Sequence, residues 1–388
     1  MKKVFLTTIA LLSIVSASVF GMYGVDTDWI NFLTHGNQFR ARLDQLGFTL
    51  GNDTIKGTFG FDNNTGFGGA YGGLLNDIDG THYSFVPSIS MGLAYTSSLI
   101  SVGVGYNATI GDHTQKFNGK TESKTVNKSA HTPVLVLNAM DNAFRMAIPI
   151  QVYVNNDKYS DAAGGGYDNE MAVSVDSQFR YYTGLDALPQ VRLFLRYGLY
   201  QNESKVPKDA EKVKTKYGES FGFDFRLYFG SMVEEVALQP LVKLAYDGAL
   251  GNYHSRTRIQ AVKAMNGDYA TVSYGGGVWN LQLMTGLGLT ANSDIVSLYL
   301  EPQLGLQVTR KAPTTSPDAG TVGAPAPASI ASDSYGLAYN VYAEIYITPL
   351  KNLEWYFEAD VSGGDASLKE PPVNLAASTG ITWYLPAL

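Results

Sequence analysis

Cysteine is absent from all 388 residues, so disulfides, thiolate metal sites and a lipidated N-terminal cysteine are excluded. Beyond the first twenty residues no run of 18 apolar residues occurs, which excludes spanning helices. Charge is also sparse, at 16% of residues, low for a soluble surface. Histidine is scarce too: His35, His82, His113, His131 and His254 include no pair at helical i, i+4 spacing. No G-x-S-x-G elbow or P-loop occurs, and no cofactor is expected. The stretch Gly286–Ala291 mimics a dinucleotide fingerprint, but alternation runs through it and no helix follows. The chain is therefore not expected to be an enzyme. A membrane-bound hydrolase would need Ser and His from adjacent strands at one height.

What is abundant is glycine, at 41 residues, and aromatics, at 12% with 25 Tyr. At the N-terminus Lys2 and Lys3 precede an apolar run from Val4 to Val15, and small residues follow, which reads as a signal peptide over residues 1–21. Losing Lys2 and Lys3 with it takes the formal charge from −7 to −9, which argues against nucleic acid as a partner.

Period-2 alternation dominates the remainder. Phe85, Pro87, Ile89, Met91, Leu93 and Tyr95 alternate with small or polar residues; after Ser97 and Ser98 the pattern restarts at Ile100, Val102, Val104 and Tyr106. One face of such a hairpin meets oil and the other meets something polar. Roughly nine to eleven tilted residues cross a bilayer. The rhythm of strand, short turn, strand, long polar loop predicts strands over 132–140, 143–155, 171–183, 190–200, 218–230 and 235–247. It continues over 277–290, 295–308, 335–348, 353–361 and 373–384. With Ile55–Phe61 and the first hairpin this gives an all-β, transmembrane, antiparallel up-and-down β-barrel of about 14 strands, within 12 to 16.

The barrel is assigned to residues 54–384 and a separate segment to 22–53, where Trp29 to Leu33 reads as a short capped helix that plugs or underlies it. The run Leu46, Phe48 and Leu50 is an alternative extra strand. Long loops at 62–81, 111–131, 155–170, 201–217, 248–276, 309–334 and 362–372 fall on one side, the outside by the usual barrel orientation. The Lys-rich parts of these loops, 116–128 and 205–216, read as solvated. Pro87, Pro149, Pro240 and Pro302 fall inside strands and predict local irregularity, through bulges for instance. A soluble sandwich would have shorter strands and no consistent loop asymmetry.

With the apolar set on lipid, the alternate set faces the lumen. Arg145, Arg180, Arg192, Arg196, Arg226 and Lys243 lie on the middle strands, with Asp176 and Asp224 among them. Glu301, Glu344, Glu354, Glu358 and Asp360 lie on the late ones. One wall is thus basic and the other acidic, clustered toward the periplasmic half. Two readings stay open: a pore lining with a transverse field, or charges that pair with one another or with Arg40 and Arg42 to fill the lumen.

The segment from Met22 carries Phe32-Leu33-Thr34-His35-Gly36-Asn37-Gln38-Phe39-Arg40-Ala41-Arg42, then Asp44-Gln45-Leu46-Gly47-Phe48 and Gly51-Asn52-Asp53-Thr54-Ile55-Lys56-Gly57-Thr58-Phe59-Gly60-Phe61. It resembles the variable surface proteins of intestinal Brachyspira spirochaetes, a family of outer-membrane antigens. The resemblance implies a surface-exposed outer-membrane location, a role in antigenic variation or host contact, and no catalytic residues to carry over. The partners expected are outer-membrane lipid, the barrel-assembly machinery, and host surfaces or antibodies, with self-association left open. The terminal aromatic that barrel assembly usually reads is displaced here, because Leu385-Pro386-Ala387-Leu388 follows Trp383 and Tyr384.

Overall fold

The computed structural model describes residues 46–52, 54–62, 88–97, 99–111, 113–117, 121–233, 236–250, 279–311, 332–350, 353–365 and 373–383. The expected signal peptide, the N-terminal helix with Arg40 and Arg42, Pro87, and much of the loops 62–81, 248–276 and 309–334 lie outside the described residues.

Alternating residues place one side chain on each face in turn, and the chain answers with long antiparallel strands. They are β1 (Leu46–Gly51), β2 (Ile55–Asp62), β3 (Ser88–Tyr95), β4 (Ile100–Ile110), β5 (His113–Phe117), β6 (Glu122–Val126), β7 (Lys128–Ala139), β8 (Phe144–Tyr159) and β9 (Tyr167–Leu185). The second half holds β10 (Leu188–Lys205), β11 (Val213–Tyr228), β12 (Ser231–Val233), β13 (Val236–Ala249), β14 (Trp279–Asn292), β15 (Val296–Lys311), β16 (Ser332–Leu350), β17 (Leu353–Asp365) and β18 (Asn374–Trp383).

Consecutive strands pair as meanders. β5 and β6 prolong β4 and β7 above the wall, and β12 prolongs β11, so one antiparallel sheet of 15 wall strands results. All fourteen expected strands are present. The fifteenth is β1, which pairs with β2 from Leu46↔Phe61 to Gly51↔Lys56. The wall therefore starts by Leu46, upstream of the expected boundary at 54. β1 and β18 both run toward the short-turn side, and among the described residues no ladder joins them.

Burial follows the alternation. Along β4 exposed Ile100, Val102, Val104 and Tyr106 alternate with buried Ser101, Gly103, Gly105 and Asn107. Along β8 Arg145, Ala147, Gln151 and Tyr153 are buried between outward Met146, Ile148 and Val152. Leu93, Val104, Leu283 and Leu304 are each more than half exposed, the reverse of a water-soluble core. A band of exposed large apolar side chains of this extent belongs against hydrocarbon. Exposed Tyr95, Tyr181 and Trp355 stand near the short turns, as an interfacial girdle requires.

The short turns are fixed by side chains that stand in for ladder partners. Asn52 Oδ1 accepts from the backbone N–H of Thr54 and Ile55 at 2.9 and 2.8 Å, and Ser293 Oγ accepts from Val296 N–H at 2.9 Å. Met140, Asp141 and Asn142 take φ of 57°, 54° and 66° to join β7 to β8 at the turn the sequence marks.

Three expectations change. The 111–131 loop is largely the β5–β6 hairpin, and the 155–170 and 201–217 loops shrink because β9 has 19 residues and β10 has 18. Polar residues continue a ladder above the bilayer, where no apolar face is needed to hold it. Within the Lys-rich 116–128 stretch, Lys128 is buried and Lys124 Nζ lies 2.6 Å from Asp157 Oδ2, so these two are drawn into the sheet rather than solvated. At Pro149 the β7–β8 ladder skips from His131↔Val152 to Val134↔Pro149, and at Pro302 the β14–β15 ladder skips from Gly286↔Gln303 to Leu289↔Leu300. Both gaps keep register, so the missing N–H is absorbed without a bulge.

Candidate functional site

The polar face of the wall builds the site, and register sets its shape. Arg145 pairs across with Arg180, Arg180 with Arg192, Arg192 with Arg226, and Arg226 with Lys243. Five cations on five neighbouring strands thus form one transverse row. Like charges directly opposite destabilise a sheet, so each needs a compensating group. Aromatic faces supply part: the Arg145 guanidinium lies 5.1 Å from the Tyr182 ring centre, Arg192 4.4 Å from Tyr228, and Arg226 5.1 Å from Phe194.

Carboxylates compensate Arg226 and Lys243. Arg226 Nε and Nη2 donate to the two oxygens of Asp224 at 2.8 and 2.9 Å, and its Nη1 donates to Glu301 Oε1 at 3.2 Å. Lys243 Nζ lies 3.5 Å from Asp224 Oδ2. Arg196 Nε reaches Asp176 at 3.3 Å, and its Nη1 lies 3.8 Å from Asp247. Charges this buried persist only when paired.

The acidic wall is equally ordered. Glu344 and Glu358 are opposite one another, and Tyr342 Oη lies within hydrogen-bond reach of both, 2.8 Å from Glu358. Glu301 accepts from Arg226, from Tyr228 at 3.2 Å, from Tyr299, and from Gln303 Nε2 at 2.6 Å. Asp360 accepts from Asn340 Nδ2 at 3.0 and 3.1 Å. Glu354 is buried on β17.

Between these walls lies a cavity of about 450 Å³. Of the eleven expected lumen charges, Arg192, Arg196, Arg226, Lys243, Glu301 and Asp360 line it. Arg145, Arg180, Glu344, Glu354 and Glu358 stand outside that lining, buried in the wall packing. Asp247 and the inward tyrosines Tyr228, Tyr299 and Tyr342 escaped the sequence reading. Their signal was present as Tyr at polar-phase positions, such as Tyr299 between Leu298 and Leu300.

A family profile described as variable surface protein of Serpulina hyodysenteriae matches residues 2–384. The chain belongs to that family. This confirms the variable-surface-protein resemblance of the N-terminal segment. No individually curated protein matches the chain. Among solved structures, the copper transporter OprC is similar at 11% identity and a TM-score of 0.41, over 87% of this chain and 62% of that one, so the chain spans less than two thirds of that transporter. The beta domain of the Bordetella autotransporter Brka is similar at 12% identity and a TM-score of 0.30, over 72% of this chain and 98% of that one. A variable surface protein with an apolar outer face, a polar inner face and long strands is a membrane β-barrel protein, and in a bacterium that points to the outer membrane.

Two further clusters complete the account of this family member. On the outer face Tyr106 Oη lies 2.6 Å from His131 Nδ1, and His131 Nε2 lies 3.0 Å from Ser129 Oγ. Sequence reasoning read these histidines as scattered, yet Ser129 and His131 share one face of β7. The contact has the spacing of a nucleophile and its base. Neighbouring backbone groups pair in the β4–β7–β8 ladders at Ile110↔Ser129 and Ser129↔Val154.

Above the membrane, Glu203 binds Tyr167 Oη at 3.0 Å, Lys212 Nζ at 2.9 Å and Lys214 Nζ at 3.2 Å. These hydrogen bonds, that from Lys212 first, pull its carboxyl down to about 2. Arg310 grips Asp333 through two bonds of 2.8 and 3.2 Å across β15 and β16, holding that carboxyl below its ordinary range.

Proposed function

We propose that the chain is a major surface antigen of the outer membrane whose barrel also passes small polar solutes. The observation that carries the porin reading is the cavity of about 450 Å³, lined by cations of β10, β11 and β13 and by carboxylates of β15 and β17. A transverse pair of opposite charges orients polar solutes and favours neither sign of ion strongly. The long-loop side faces outward and meets antibodies and host surfaces, while the apolar belt meets outer-membrane lipid after delivery by the barrel-assembly machinery. No catalytic step belongs to this reading.

A second reading is a display or adhesin barrel that conducts nothing. It is favoured by the Arg226 guanidinium, which ties Asp224 and Glu301 together across the interior. Single-channel recording of the purified mature protein in a planar bilayer separates the two. Discrete conductance steps are expected for the porin. Silence from protein whose fold is verified by heat-modifiable gel migration would leave the display barrel.

A further inference from the structure

The cavity is balanced in sign but not in placement. Four cations, Arg192, Arg196, Arg226 and Lys243, and four carboxylates, Asp224, Asp247, Glu301 and Asp360, line it, so its occupant needs no net charge. Most of these groups are already committed. Glu301 accepts from four donors, and Asp224 is held in both oxygens by Arg226.

Three groups retain capacity. Arg192 lines the cavity and donates from Nη2 to the neutral Gln190 amide at 3.2 Å, with no carboxylate ion-paired to it among the described residues. Lys243 reaches Asp224 only at 3.5 Å, long for an ammonium hydrogen bond. Asp360 is held by the neutral amide of Asn340 and by no cation among the described residues. Spare cations thus come from β10 and β13, and a spare carboxylate from β17.

We propose that this cavity binds a small zwitterion of the amino acid or short peptide class, its carboxylate toward Arg192 and Lys243 and its ammonium toward Asp360. The volume falls within the roughly 300–1,000 Å³ of small-ligand pockets. A guanidinium and an ammonium together satisfy a carboxylate, and a carboxylate satisfies an ammonium through a charge-assisted bond. The proposal deepens the porin reading by naming a solute class, and it rests on the cavity being open to solvent.

The test is isothermal titration of the folded full-length mature protein in detergent micelles with alanyl-alanine, its N-acetyl derivative and its C-terminal amide. The zwitterion should bind at least tenfold more tightly than either blocked form. Lys243→Met should abolish the preference over the amide, and Asp360→Asn the preference over the acetylated form. Heat-modifiable migration verifies the fold of each variant. Equal binding of the acetylated dipeptide would overturn the proposal in favour of a plain anion site, and binding of none of the three would overturn it in favour of charge packing. Binding in protein that is silent in bilayers would sink the porin reading and keep this site; conductance without binding would do the reverse.

Discussion

Arg226 and Glu301 meet at 3.2 Å although β13 and β14 stand between their strands. Only a sheet curled strongly toward its polar face brings them together, so this ion pair reports the curvature of the wall. Arg226→Met strips Asp224 and Glu301 of their shared cation in a buried setting. Breaking such a pair costs about 3–5 kcal/mol. The temperature at which heat-modifiable migration is lost should fall accordingly, whereas an unchanged temperature would mean the pair is solvated.

Arg192 and Arg196 are expected to act more on ion selectivity than on stability, because both line the cavity. In a conducting protein, replacing both with Gln should move the reversal potential in a salt gradient toward cation preference. An unmoved potential would remove them from the conduction path.

Leu304 is 58% exposed on the outer face. On a soluble protein Leu304→Arg would change stability by about 0.5 kcal/mol at most. Facing the bilayer midplane it should cost about 2–4 kcal/mol. Urea titration of the protein refolded in lipid vesicles distinguishes the two.

The Glu203 clip carries a pH signature. Its folded carboxyl sits at about 2 against an ordinary 4.5, because Lys212, Lys214 and Tyr167 bond the charged form. A depressed carboxyl contributes stability that is fully present above the unfolded value and disappears as pH falls through the folded one. The β10–β11 tip should therefore stay closed at pH 5 and loosen between about 4.5 and 2. A ¹³C titration of the Glu203 carboxyl checks this, and a midpoint near 4.5 would contradict the clip.

Lys311 pairs with Ser332, so the β15–β16 ladder closes at the base of the loop between them. Replacing Ala312–Ala331 by a short turn should leave heat-modifiable migration intact. Its loss would place the segment in the fold rather than on it.

Much of the wall was legible because period 2 survives through most of the membrane-crossing strands: Phe221, Phe223 and Phe225 face out for the same reason that Asp224 faces in. Less legible was where a strand stops above the bilayer. Tyr167 to Glu170 and Glu203 carry no apolar face, yet they are ladder residues, held by neighbours rather than by their own pattern. Lys128 likewise reads as loop in sequence and is buried in the sheet.

Sequence alone determined the β class and the outward and inward sets, since each is a property of alternation along one strand. Tertiary structure alone decided the rest. That Arg145, Arg180, Arg192, Arg226 and Lys243 share one level depends on cross-strand register, which turn geometry sets and composition does not encode. Which charges pair depends on curvature, because only the bending of the wall brings Arg226 to Glu301.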